Sequence, residues 1–313
     1  MSPLFVLAST LALVVVGGEE EGPQALNLLQ HGLEVVEPPG TLAETFPKVQ
    51  ASHVYRTDFP HDAHSGWKPS TTGQPQASAP ASQDRFTWRK VGAEYVAMTL
   101  FVMIGCGSAM AIARDVGSAW VLQVSLAFGL AITVLAYSLG RYSGGQINCA
   151  VTLGLWVSNQ LYWEQAFLNF IAQMLGSVTG ATLLIMIFPV EKDKTGDIAC
   201  NGIADGFTVF GVLVAELVMT FVLVLTVLES GLQTAPASGI AVIPIGFAVF
   251  LAHCVLIPID GCSINPTRSF GPALVATLRE DGKGGYFRDM WVFWVGPLLG
   301  ALAAAGVHAL LIL

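Results

Sequence analysis

Charge is scarce in this sequence. Its 313 residues include 14 Lys plus Arg and 22 Asp plus Glu, 12% of the chain, where soluble domains carry about 25%, and this deficit argues against an ordinary water-soluble enzyme. Basic residues are in excess nowhere: residues 1–85 hold 9 acids and 4 bases, and residues 86–313 hold 13 acids and 10 bases. A nucleic-acid partner is therefore not expected. Cysteine is sparse too. Cys106, Cys149, Cys200, Cys254 and Cys262 have neither zinc-ligand spacing nor the even count of a short disulfide framework, so they imply no metal site. The sequence has no Walker-type phosphate loop and no catalytic triad motif, and neither an enzyme nor a cofactor is expected.

What the chain does have is 53% hydrophobic residues and 33 glycines, a combination suited to helices packed closely inside a bilayer. An apolar run at residues 4–16 is shorter than the about 20 residues a span needs; it reads either as a signal-like core or as the hydrophobic start of a tail. Residues 1–85 are expected to form an N-terminal extension, mostly disordered, because from Glu19 onward they are polar and aperiodic and bury too little apolar area to offset ordering entropy. His53, His61 and His64 belong to that stretch and read as solvated tail residues.

From residue 86 the texture changes. Apolar runs near 91–113, 119–139, 163–188, 208–229, 238–258 and 289–312 are each long enough to cross a hydrocarbon core of about 30 Å. Two shorter apolar stretches, 149–157 and 266–278, each follow a Gly-containing segment and read as re-entrant half-helices. The expected fold is an all-α membrane protein with six transmembrane helices and two half-helices, integral and multi-pass, in the plasma membrane or an internal one.

The two halves repeat one another. AEYVAMTLFV at 93–102 matches AELVMTFVLV at 215–224, GGQINCAVTLG at 144–154 matches GCSINPTRSFG at 261–271, and Gly176-x-x-x-Gly180 matches Gly296-x-x-x-Gly300. Three spans per half is an odd number, so the second half enters the membrane inverted. The two half-helix N-termini then meet near the midplane at Asn148 and Asn265, and the positive ends of both dipoles face one point. That point is poor for a cation and good for a neutral, hydrogen-bond-accepting molecule. Glu94 and Glu216 are equivalent positions and are expected to bond re-entrant backbone N–H groups, and the Gly-x-x-x-Gly pairs are expected to be packing surfaces.

INCAVTLG and INPTRSFGPAL, set in a duplicated six-span chain, resemble the two Asn-Pro-Ala signature loops of the aquaporins, the major intrinsic proteins. SLAFG at 125–129, SGGQIN at 143–148 and WVGP at 294–297 resemble family segments too. The resemblance covers about residues 86–313 and implies a passive transmembrane water channel, a homotetramer in the lipid bilayer. It also implies an aromatic/arginine selectivity filter at Phe128, His253, Cys262 and Arg268, in which Phe128 narrows the lumen, His253 and Arg268 donate to passing water, the Cys262 thiol faces the lumen and the arginine charge repels cations. Ser269, Ala273, Phe293 and Trp294 resemble the water-selective branch; glycerol facilitators carry an acid directly after the filter arginine. The signatures depart from the family pattern at two places: the first reads Asn148-Cys149-Ala150 and the second Asn265-Pro266-Thr267. Both asparagines, which orient water and exclude protons, are retained. Two other readings stay open: a glycerol-type facilitator, and a weakly conducting membrane adhesion or junction protein whose acidic tail recruits partners.

Overall fold

A computed structural model of the chain describes residues 85–115, 117–231, 240–279 and 284–312. The expected extension over residues 1–85, with its apolar run at 4–16, lies outside the described residues as far as residue 84. Eight α-helices are described: α1 (Trp88–Ile112), α2 (Trp120–Ser143), α3 (Cys149–Val157), α4 (Trp163–Ile187), α5 (Val209–Ser230), α6 (Val242–Asp260), α7 (Pro266–Leu278) and α8 (Val292–Leu311). No strand occurs among the described residues. Six of the helices are long and apolar enough to cross a membrane, and α3 and α7 are the two short ones. In hydrocarbon a helix satisfies its own backbone groups, which is why segments apolar on every side adopt this form.

Stripes of large apolar side chains face outward on the spanning helices. Leu122, Leu126, Leu130, Val134 and Tyr137 make an exposed stripe on α2, and Phe247, Leu251 and Val255 make one on α6. The inward faces carry small residues because the helices approach closely. A Cβ on Gly176 would lie 2.6 Å from the Tyr95 carbonyl oxygen, and one on Gly180 would lie 2.6 Å from that of Thr99. In the second half, a Cβ on Gly296 would lie 3.1 Å from the Leu213 carbonyl oxygen. The two Gly-x-x-x-Gly pairs therefore seat α4 on α1 and α8 on α5, and these are extensive helix pairs along with α2 on α6.

The repeats are also interleaved. Half-helix α3 packs on α8 of the other half, and α7 packs on α4. Gly271 makes the second exchange possible, since a Cβ there would run into the Ser177 backbone. Helices α2 and α6 stop at equivalent residues, Gly144 and Gly261, both in the left-handed region with φ of 94° and 83°, as helix C-termini commonly do. Each chain then turns back into the molecule and starts a half-helix.

Candidate functional site

Each signature loop is built around a buried glutamate. Glu94 Oε1 accepts from Ser143 Oγ (2.6 Å) and the Gln146 N–H (2.9 Å), and Oε2 accepts from the Ile147 N–H (2.7 Å) and Gln173 Nε2 (2.8 Å). Glu216 accepts from the N–H groups of Ser263 and Ile264, each at 2.7 Å. Ile147 and Ile264 both have positive φ, 53° and 43°, a conformation that a β-branched residue resists. The carboxylate bond to each of these N–H groups offsets part of that cost. In this way the glutamates fix the residue directly before each asparagine.

The asparagines cap the half-helices and tie them together. Asn148 Oδ1 accepts from the Ala150 N–H (2.8 Å) and the Val151 N–H (3.4 Å), and its Nδ2 donates across the interface to the Ile264 carbonyl (2.7 Å). Asn265 Oδ1 accepts from the Arg268 N–H (3.3 Å), and its Nδ2 donates to the Ile147 carbonyl (2.8 Å). The exchange is reciprocal and brings the N-termini of α3 and α7 together. Each amide has a second N–H beyond the one used for this tie.

Phe128, His253 and Arg268, more than a hundred residues apart in the chain, form one cluster. The Phe128 and His253 rings stack with centroids 4.1 Å apart, and Arg268 Cζ lies 5.2 Å from the Phe128 ring centre. Phe101 meets Phe128 edge to face at 5.4 Å. A Cβ on Gly105 would overlap the Phe128 ring, so that glycine gives the ring its place. Arg268 Nη1 is anchored by the carbonyl of Ala199 (3.0 Å) and by Asn201 Oδ1 (2.9 Å). His253 Nδ1 lies 2.8 Å from the Val249 carbonyl, which only accepts, so Nδ1 carries the proton. Nε2 of the neutral ring is then an acceptor. With the ring neutral, the cluster offers one donor, Arg268 Nε, and one acceptor, His253 Nε2, where two donors are expected from sequence.

Two cavities approach this cluster. One, of about 600 Å³, opens at the C-terminal end of α1 and is lined by Phe128 and Arg268 together with Asn201 and Asp260. The other, of about 660 Å³, opens at the N-terminal end of α1 and reaches Asn148 and Asn265. His253 and Cys262 line neither cavity, and both are buried. Arg268 Nε and His253 Nε2 are buried with no protein hydrogen-bond partner among the described residues. Because buried polar atoms are nearly always paired with protein or water, this donor and acceptor suit a small molecule passing between the cavities. Cys262 is fully buried on the loop after α6, with φ of 57°. Its N–H donates to Asp260 Oδ1 (2.7 Å).

Cys149 and Thr267, the two departures from the expected Asn-Pro-Ala pattern, are both buried. Cys149 is the first residue of α3, and the Thr267 hydroxyl near the start of α7 donates to Asn265 Oδ1 at 2.6 Å. Ala150 and Pro266 are fully buried in the same junction.

Sequence reasoning missed several residues that hold the site. Gln165, Asn169 and Gln173 recur every four residues on an otherwise apolar α4, and that spacing was a readable sign of a polar stripe. Asn169 Nδ2 donates to Gln146 Oε1 (3.0 Å), and Gln165 Nε2 donates to Asn169 Oδ1 (2.6 Å). Asn201 binds both Arg268 and Ser269, but no local pattern marks it. Among the described residues, no cluster of three or more His, Cys, Asp or Glu is arranged to hold a metal.

Comparison with known proteins gives a consistent picture. Residues 81–308 match the family described as Major intrinsic protein. The chain is 41% identical to Aquaporin-5 of Homo sapiens over 219 residues, 69% of this chain and 78% of that protein. It is 39% identical to Probable aquaporin PIP2-7 of Oryza sativa subsp. japonica over 236 residues, 72% of this chain and 79% of that protein. Among solved structures, the aquaglyceroporin from Plasmodium falciparum superposes with a TM-score of 0.64 at 19% identity, covering 72% of this chain and 96% of that one, a likeness that bears on the fold alone.

Proposed function

The chain belongs to the major intrinsic protein family, and from that premise we propose that it forms a passive pore selective for water. It is an integral, multi-pass membrane protein and a channel of the aquaporin family, not an enzyme. The selectivity rests on one observation: the Phe128–His253 stack with Arg268 beside it, between two cavities, leaving one buried donor and one buried acceptor. A water molecule accepts from Arg268 Nε and donates to His253 Nε2, and so replaces its bulk hydrogen bonds in a passage narrowed by Phe128. Glycerol has a carbon chain that this pair does not solvate, and the fixed guanidinium charge repels cations.

Beyond the filter, water meets the second N–H of the Asn148 and Asn265 amides at the N-terminal ends of α3 and α7. Donors from both sides orient its oxygen toward the amides and break the chain of hydrogen bonds along which a proton would hop. In this reading residues 86–313 are the channel domain, Cys262 belongs to the filter wall, and four copies assemble as the family likeness implies.

Stopped-flow shrinkage of proteoliposomes containing the full chain tests the proposal. Under a sucrose gradient, shrinkage is expected to be much faster than in protein-free vesicles, and under a glycerol gradient re-swelling is expected to stay at the protein-free rate. Glycerol entry well above that rate overturns the selectivity, and equal shrinkage with and without protein overturns the pore.

A further inference from the structure

The two repeats differ at the position that ends the second helix of each. Ser143 closes α2, and 117 residues later Asp260 closes α6. The Ser143 hydroxyl has two tasks: Oγ accepts from the Gly145 N–H at 3.1 Å and donates to Glu94 Oε1 at 2.6 Å. Asp260 repeats the first, since Oδ1 accepts from the Cys262 N–H at 2.7 Å. For the second task an ionised carboxylate has nothing to donate.

Yet Asp260 is placed where that donor is needed. Its carboxyl and that of Glu216 hold the N–H groups of adjacent residues, Cys262 and Ser263, so the two acids serve one turn of the loop. Both side chains are buried, at 2% and 0% exposure. Asp260 Oδ2 has no N–H or hydroxyl partner among the described residues. Glu216 also lacks the other donor that its counterpart enjoys: Gln173, which bonds Glu94, is matched in the second half by Phe293. Two ionised carboxylates in contact away from water repel strongly, whereas one proton between them makes a short, charge-assisted O–H···O bond.

We propose that Asp260 is kept as the neutral acid and donates its proton to Glu216, so that this shared proton positions the second signature loop and makes the pore sensitive to alkaline pH. Glu216 holds the N–H groups of Ser263 and Ile264, and Arg268 lies in the first turn of α7, three residues after Asn265. When the proton leaves through the cavity that Asp260 lines, two negative charges face each other below the Arg268 guanidinium. Arg268, whose Nη1 donates to the Ala199 carbonyl and to Asn201, is then drawn toward them and out of the filter geometry. The first repeat has no such sensitivity, because Ser143 is a hydroxyl.

The other ionisable groups around Asp260 are few. From α5 there is Glu216, from α7 Arg268, and from its own segment His253 and Cys262. Across the shared cavity lie Arg114 after α1, Asp197, Cys200 and Asp205 between α4 and α5, and Tyr286, Arg288 and Asp289 before α8. The adjoining part of α2 presents Trp120, Val124 and Phe128, none of which titrates.

Two measurements on the full-length protein test this. Infrared difference spectra at neutral pH are expected to show the carbonyl stretch of a buried neutral carboxylic acid, absent from both Asp260→Asn and Asp260→Ser; the same band in all three proteins overturns the assignment. The second is the ratio of water permeability at about pH 9 to that at about pH 6, the range over which the proposal has the shared proton leave. The wild type is expected to lose about threefold or more over this range. Asp260→Asn, which keeps a donor for Glu216 and an acceptor for Cys262, and Asp260→Ser, which copies Ser143, are expected to show a flat ratio. A flat wild-type profile, or an equal fall in both variants, overturns the proposal. The flux arm rests on the water-pore reading, and the infrared arm does not, so absence of flux at every pH counts against the pore while the spectrum still decides where the proton is.

Discussion

The two signature loops have nearly the same backbone and very different surroundings. In the first, Gly144, Gly145 and Ile147 have φ of 94°, 64° and 53°, and in the second Gly261, Cys262 and Ile264 follow with 83°, 57° and 43°. Around the first, neutral amides and hydroxyls run in an unbroken chain from Glu94 through Gln173 and Thr152 to Gln146, Asn169 and Gln165, and on to the Thr87 N–H. Around the second stand ionisable side chains: Glu216, Asp260 and Arg268. The position equivalent to Arg268 in the first half is Val151. Duplication thus supplied one geometry twice, and the halves then divided the work. What they share places two asparagines at one point, and what they do not share is the charge around each loop.

The largest difference between the loops is expected from their glutamates. Glu94→Ala leaves the Ser143 hydroxyl and the Gln146 and Ile147 N–H groups without their acceptor and removes one of two from Gln173, each unpaired donor costing about 1–3 kcal/mol, which together is a large part of the stability of a typical domain. Glu216→Ala leaves two backbone N–H groups and the Asp260 carboxyl. Folded yield by size-exclusion chromatography in detergent is expected to collapse for Glu94→Ala and to fall less for Glu216→Ala. The reverse order would mean that the polar chain of the first loop is not what holds it.

Next in size is the cap. Asn148→Ala removes a helix N-cap worth about 1 kcal/mol together with the tie to Ile264. Water permeability per folded protein, or folded yield itself, is expected to drop sharply. A variant with normal yield and normal permeability would show that α3 is held without its asparagine.

The smallest effect is expected where the loops depart from the family pattern. Proline at the first helical position presets φ and omits an N–H that the helix does not use, so Cys149→Pro is expected to change water permeability by less than about twofold, because Asn148 already caps α3. Cys149 follows the Asn148 cap and Thr267 bonds the Asn265 amide, and the two asparagines are tied reciprocally, so Cys149→Pro and Thr267→Ala are expected to be non-additive in thermal stability. Strict additivity would show that the two departures arose independently.

Much of this architecture is written in the chain at scales that hydropathy and repetition can read. Six spans show because a bilayer demands about 20 apolar residues each, and the half-helices show because they are too short. The Glu94 and Glu216 roles follow from a carboxylate recurring at equivalent places on apolar helices. The filter cluster was legible only through family resemblance, since nothing local brings Phe128, His253 and Arg268 together. Side-chain direction was less legible still. The His253 tautomer depends on the Val249 carbonyl one turn back, and the burial of Cys262 depends on a left-handed backbone. Asp260 reads in sequence as an ordinary helix-end acid. Only the fold sets it against Glu216.

The division of labour between the loops is tested most directly at the one residue that breaks their symmetry in the filter. Arg268→Val gives the second half-helix the residue that the first already has at Val151, and it removes both bulk and charge from the constriction. The measurement is the ratio of glycerol to water permeability for wild type and variant, reconstituted at equal protein density in the same lipid and read by stopped-flow light scattering. The ratio is expected to rise by about tenfold or more in the variant, with water flow retained because both asparagine loops are intact. An unchanged ratio in a well-folded variant would contradict the placement of selectivity at Phe128, His253 and Arg268.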